Sequence, residues 1–312
     1  MSERRSALLF LLLAAVWGTS FMAIKAGLEA FPPVLFAALR YDLAAVLMLG
    51  YAAVTCDYWL PRTRSDWLTL VVEGVLIIAL YNAFLFVGET GVTSGVAAIL
   101  VGMSPILSTV FSRLFLPDQR LTAVGTIGLL LGFVGVAMVA RPKSSNLLGS
   151  EAIWPGLVLL AAASVALGSV LVQRLDGDIS PEGMVAWSNV LGAALLHAIS
   201  LGLPSESFAD AQFSVDGVAA LVYLAVFASA IGYVVYFDLL ARLGAIEINL
   251  VSYAAPIFAA VSGWLVLDET LELLDVAGFV VIFTGFVLLK RQALATELSP
   301  VLDRVEGLLP GR

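Results

Sequence analysis

Cysteine and histidine are all but missing. The 312-residue chain holds one of each, Cys56 and His197. A single cysteine excludes an internal disulfide and a cysteine-built metal centre. A single histidine argues against His-rich metal sites and against chemistry that needs two imidazoles. Lysine is nearly as scarce, with only Lys25, Lys143 and Lys290. A net charge of −8 leaves no basic footprint for nucleic acid. No Gly-rich loop of the kind that cradles nucleotide phosphates is present. No metal and no cofactor is therefore expected. Charged residues make up 13% of the chain, where about a quarter is usual for a soluble domain.

Apolar residues fill the gap. They make up 61% of the chain, and the mean hydropathy is +1.01. No soluble core of this size hides so many apolar side chains, so the lipid bilayer is the expected solvent. Ten apolar segments can be marked, approximately at Ala7–Leu28, Pro33–Val54, Trp67–Val87, Thr93–Leu116, Thr122–Ala140, Trp154–Leu175, Pro181–Leu203, Val215–Leu240, Ile246–Leu267 and Leu274–Leu289. Most reach the ~20 residues a helix needs to cross ~30 Å of hydrocarbon. None alternates as a barrel strand does, so helices must satisfy the backbone inside lipid. Arg4 and Arg5 ahead of the first run mimic a signal peptide, but the run is long enough to span and is read as a retained helix.

The chain repeats itself. Met103-Ser104-Pro105-Ile106-Leu107 answers to Ala254-Ala255-Pro256-Ile257-Phe258, and Gly128 and Gly135 answer to Gly278 and Gly285. Gly18-Thr19-Ser20 answers to Gly168-Ser169. The division read from this is a first repeat over 1–143, a linker over 144–153, a second repeat over 154–291 and a tail over 292–312. In the tail, Ser299-Pro300 is expected to start a short amphipathic helix, or the segment frays. Basic residues concentrate in loops on the side of the N-terminus, among them Arg62, Arg64, Arg113, Arg120, Arg174 and Arg242. The opposite loops hold Arg141 and Lys143, so both termini are expected in the cytoplasm. Five helices per repeat is an odd number, so the second repeat enters the membrane from the other side. The expected fold is an all-α integral membrane protein of ten transmembrane helices in two inverted repeats, a plan typical of secondary transporters.

Proline inside a membrane helix frees a carbonyl one turn earlier, which must find a partner or water. Ser104 and Pro105, and Tyr253 and Pro256, are thus candidates for kinks at an aqueous cavity; kinks that only shape packing are the alternative. Trp17 and Thr19 beside Gly18, with Ser169 in the matching helix, either line that cavity or let helices pack closely. Tyr81 with Asn82, Tyr233 with Tyr236, and Asn249 offer amides and phenols to an amphipathic solute, although some such rings serve as interface anchors. An intramembrane charge is costly enough to expect a role. Asp42 and Glu73 are candidates for proton coupling, and structural partners are the competing expectation for both. Arg40 is read as a structural charge, and His197 as a satisfied helix-end residue. The acidic run Asp268-Glu269-Thr270-Leu271-Glu272 reads as a solvated turn.

Trp17-Gly18-Thr19-Ser20-Phe21, Leu39-Arg40-Tyr41, the Ser104-Pro105 helix and the Gly128/Gly135 helix together resemble the EamA-type members of the drug/metabolite transporter superfamily. The resemblance covers roughly Ala7 to Lys290. It implies ten helices around a central cavity lined by the first, third, fourth, sixth, eighth and ninth, with alternating access and small metabolites as cargo. Asp42 departs from the family's usual apolar residue, and Asp118 stands where a Gly-Glu turn is frequent. The expectation is therefore a multi-pass transporter of the cytoplasmic (inner) membrane, exporting a small-molecule substrate such as an amino acid. It is not expected to be an enzyme or to bind nucleic acid, and a homo-oligomer is compatible with the sequence. An integral membrane enzyme acting on lipid-linked groups and an uncoupled channel are the alternatives.

Overall fold

Helix-start signals in the sequence set several of the helix starts. The computed structural model describes residues 3–115, 123–141, 152–175, 177–243, 248 and 250–306. Asn249, Asp118 and most of the 144–153 linker lie outside the described residues. Among the described residues every regular element is helical: α1 (Glu3–Gly27), α2 (Pro33–Thr55), α3 (Arg64–Glu89), α4 (Ser94–Phe115), α5 (Ala123–Ala140), α6 (Ile153–Leu175), α7 (Pro181–Gly202), α8 (Val215–Leu243), α9 (Val251–Leu267) and α10 (Leu273–Glu306). Seven of these are long and apolar enough to cross a membrane, and three shorter apolar helices, Val124–Ala140, Val251–Leu267 and Leu273–Leu289, accompany them.

Side-chain caps begin several helices. Thr63 accepts from the Asp66 amide while Asp66 accepts from the Thr63 amide, a capping box at the head of α3. Ser180 and Ser214 cap α7 and α8, and Pro33 and Pro181 occupy first-turn positions where no N–H is missed. Other caps come from across the chain. Glu206 accepts from the amides of Val34 (2.7 Å) and Leu35 (2.9 Å) at the head of α2. Glu269 accepts from the Ser94 amide (2.9 Å) and hydroxyl (2.5 Å) at the head of α4. At the other end of the bundle Asp66 gathers the Tyr58 hydroxyl and the amides of Arg62, Thr63, Asp178 and Ile179. Its hydrogen bond holds the Tyr58 phenol above the usual range.

The acidic turn is therefore not merely solvated. Besides the Glu269 cap, Glu272 and Asp275 each lie 2.6 Å from the Arg141 guanidinium, and Asp275 is buried. Hydrogen bonding to Glu272, then to Asp275, holds Arg141 above its ordinary range. Carboxylates in a short turn satisfy helix-end donors when a neighbouring helix begins beside them, which the local sequence does not reveal. Two further expectations change. The fourth segment is interrupted at Gly102 and Met103, and the helix restarts at Ser104, so Pro105 sits in a first turn rather than mid-helix. The last helix runs unbroken through Ser299 and Pro300 to Glu306.

The glycines seven apart join α5 to α10. A methyl group on Gly128 would lie 2.4 Å from the Gly285 carbonyl oxygen, and one on Gly278 2.9 Å from that of Gly135. The two backbones thus meet directly, as small-residue membrane interfaces allow. Gly18 meets α9 in the same way, 2.4 Å from the Ala255 oxygen. Helix α2 packs along α7, α1 along α9, and α4 along α6. Val46, Leu130, Phe133, Trp264 and Leu265 are exposed on the outside, the inverse of a soluble protein and the expected face toward lipid.

Candidate functional site

Helices α3 and α8 each contain a stretch wound to the wider π period, Glu73–Leu80 and Tyr223–Ile231, whose first residues stand 150 positions apart. Such stretches are rare and disturb the regular carbonyl ladder, and they frequently mark functional sites. Here other helices supply donors to the disturbed carbonyls. Ser164 of α6 donates to the Leu76 oxygen (2.7 Å), and the Trp17 indole of α1 donates to the Ala228 oxygen (3.1 Å). Neither stretch is legible as a motif, because the pairing is set by what packs alongside.

The widened turns aim a group of polar aromatics inward. Trp17 touches the rings of Tyr236 (5.5 Å between centroids) and Tyr233 (6.4 Å). Thr19 shares a 2.5 Å hydrogen bond with the Tyr223 hydroxyl and donates to the Ala15 oxygen. Asn82, fully buried, donates to the Tyr41 hydroxyl (3.1 Å) and to the Ile78 oxygen (2.7 Å), and its Oδ1 has no partner. Tyr81 and Tyr233 lie within electrostatic reach of Tyr41 and Arg40. Both residues are half-buried rather than sealed in the core.

Arg40 reaches the same place from α2. It is 8% exposed, its Nε donates to Ser229 of α8 (3.1 Å), and its Cζ stands 5.0 Å from the Tyr41 ring centroid and 6.0 Å from that of Phe86. An intramembrane charge costs at least about 2.5–3.5 kcal/mol on insertion scales. Stacking on aromatic faces offsets part of that, about 0.5–2 kcal/mol for each contact. Among the described residues no carboxylate lies within ion-pair distance of this guanidinium.

The structure thus brings Trp17, Thr19, Tyr81, Asn82, Tyr233 and Tyr236 together and gives the other candidates different surroundings. Ser104 and Ser169 turn their hydroxyls back to the Val101 and Val165 oxygens of their own segments. Tyr253 packs against Phe286 (4.5 Å) and Phe283 (5.4 Å) of α10. Pro256 is buried inside α9, on the stretch against which Gly18 packs. Glu73 is buried at the start of the π stretch beside Ser188, with Oε2 unpartnered. Asp42 instead meets His197 of α7 at 2.8 Å, both partly exposed on the flank of the bundle. The side chains that the sequence reading left out are Tyr41, Tyr223 and Ser229, with Arg40 read only as structural. The adjacent Arg40-Tyr41 pair in an apolar helix was the available signal. Glu89 was also missed. It is fully buried at the end of α3, neither carboxylate oxygen has a hydrogen-bond partner, and Lys25 stands nearby with its Nζ on the Glu89, Thr90 and Val92 carbonyls.

A separate apolar crevice of about 220 Å³ opens between α4, α5 and α6, lined by Met103, Leu107, Phe133, Val136 and Leu160 among others. With almost no polar surface it suits an acyl chain or a packing void better than a metabolite.

The family model for EamA-like transporters matches the chain twice, over residues 4–141 and 152–291. The chain belongs to the EamA-like transporter family. Relatives from this group cover it nearly end to end. The uncharacterized inner membrane transporter YedA of Escherichia coli K12 is 30% identical over 293 residues, 93% of this chain and 92% of its own. The uncharacterized transporter YvbV of Bacillus subtilis is 28% identical over 301 residues, 96% of each. A solved crystal structure covers 96% of this chain and 100% of its own with a TM-score of 0.64 at 20% identity, a likeness of fold. The EamA assignment makes the chain a multi-pass membrane protein of a transporter family.

Proposed function

We propose that this EamA-family chain is a secondary transporter that exports a small amphipathic metabolite across the cytoplasmic membrane by alternating access. The observation that carries this is the grouping of Trp17, Tyr81, Tyr233 and Tyr236 from α1, α3 and α8 beside the two π stretches. Rings there offer an apolar wall, and phenols and the Asn82 amide offer orientation. Ten membrane-crossing helices in two inverted repeats, with both termini cytoplasmic, complete the reading. It is supported by the double family match, by the π stretches 150 positions apart and by exchangeable packing, α1 on α9 as α6 on α4. The two halves rock about the space between them and expose it to each side in turn.

Coupling to protons runs through Glu73 in this reading, with Asp42 the alternative. Glu73 borders the π stretch and has an unpartnered oxygen, whereas Asp42 already has His197. Counterflow in proteoliposomes preloaded with mixed amino acids tests the whole reading. Saturable, protein-dependent exchange is expected, and flux that fails to saturate would identify a channel instead. Glu73→Gln is expected to remove the dependence on a pH gradient, and Asp42→Asn to retain it; the reverse pattern assigns coupling to Asp42.

A further inference from the structure

The internal site contains a cation that the protein does not neutralise by contact. Arg40 is more than nine-tenths buried, and its Nε donates to Ser229. Among the described residues its two terminal nitrogens have no hydrogen-bond partner, and they are not among the sealed, unpartnered polar atoms. Tyr81 and Tyr233 lie within electrostatic reach of the guanidinium. Glu89 lies within electrostatic reach but shares no hydrogen bond with the guanidinium. A guanidinium held at Nε, with aromatic rings on its faces, presents its outer edge as a fixed fork of donors. That geometry matches an oxyanion bidentately.

We propose that Arg40 anchors a carboxylate of the cargo, so that the solute carried is an organic monoanion with an aromatic or apolar body. This rests on the transporter reading above and narrows its substrate class. One guanidinium fork grips one carboxylate, which sets the single negative charge. Lys25 spends its ammonium on the carbonyls of the α3–α4 turn and is not available to a second anionic group. A dianionic phosphate would lack a second partner. The body follows from the rings, since Trp17 contacts both Tyr233 and Tyr236, and Tyr233 lies within electrostatic reach of Arg40.

The competing role for Arg40 is to tie α2 to α8 through Ser229, and the test must separate the two. N-acetyl-phenylalanine and its neutral amide differ only at the group the fork would grip. Two readouts serve, thermal stabilisation of the detergent-purified protein and counterflow in proteoliposomes. Wild-type protein is expected to bind the acid at least tenfold more tightly than the amide. Arg40→Lys keeps the charge and loses the fork, and is expected to lose at least tenfold in affinity for the acid while leaving the amide unchanged. Equal binding of acid and amide by the wild type overturns the proposal without needing any variant. Unchanged affinity for the acid in Arg40→Lys overturns it as well. Binding of the acid without any exchange would keep the carboxylate site and remove the transporter reading. Saturable exchange of neutral solutes alone would do the opposite.

Discussion

Alanine at Gly128 tests the contact that joins α5 to α10. The new methyl would lie 2.4 Å from the Gly285 carbonyl oxygen, 2.9 Å from the Leu289 nitrogen and 3.2 Å from the Leu288 Cβ. The two closest atoms are backbone, so no rotamer change relieves them, and the helices must part by roughly 1 Å. A gap of that size forfeits a quarter to a half of the dispersion attraction across the seam, and overpacking of this kind costs about 1–3 kcal/mol. Alanine returns about 1 kcal/mol in helix propensity. The net expectation is a loss of about 0–2 kcal/mol. Gly50 is the internal control, because nothing lies within 4 Å of a methyl placed there. Gly50→Ala keeps the propensity gain alone, so the two variants should differ by about 1–3 kcal/mol. Adding Gly285→Ala to Gly128→Ala should cost less than its own single effect, since one separation accommodates both methyls. Thermal unfolding in a fixed detergent reads all four proteins. If Gly128→Ala is as stable as Gly50→Ala, close backbone contact is not what holds α5 to α10.

Removing the indole donor in Trp17→Phe leaves the Ala228 carbonyl of the π stretch without its bond and should cost about 0.5–1.5 kcal/mol in thermal unfolding. Wild-type stability in that variant would mean the stretch holds its shape unaided. Glu269→Ala removes the long-range cap on α4 while Thr93 keeps the Val96 amide, and should cost about 0.5–2 kcal/mol, with faster amide hydrogen exchange over Ser94–Val101. Unchanged exchange there would show that solvent or a neighbour replaces the carboxylate.

The sequence by itself determined the membrane, the helices and the repeat. These follow from properties summed over long stretches, apolar runs of about 20 residues and glycines at equal spacing in both halves. The caps formed by Thr63, Ser180 and Ser214 need only neighbours a turn away, whereas the apolar run by itself starts the third segment at Trp67 and the helix begins at Arg64. The tertiary structure decided what each singled-out side chain meets. Ser104-Pro105 and Tyr253 have the composition of cavity residues, yet the first opens a helix segment and the second packs into α10. Glu269 and Glu272 look like a solvated turn until Ser94 and Arg141 arrive from elsewhere in the chain. Arg40 reads as a bare cost to insertion until α8 brings Ser229 to its Nε and α3 brings the Phe86 ring to its guanidinium. Periodicity fixes which face of a helix is apolar, but the partner on the polar side lies 41 residues away for Asn82 and 211 for Trp17. Only the packed bundle names it.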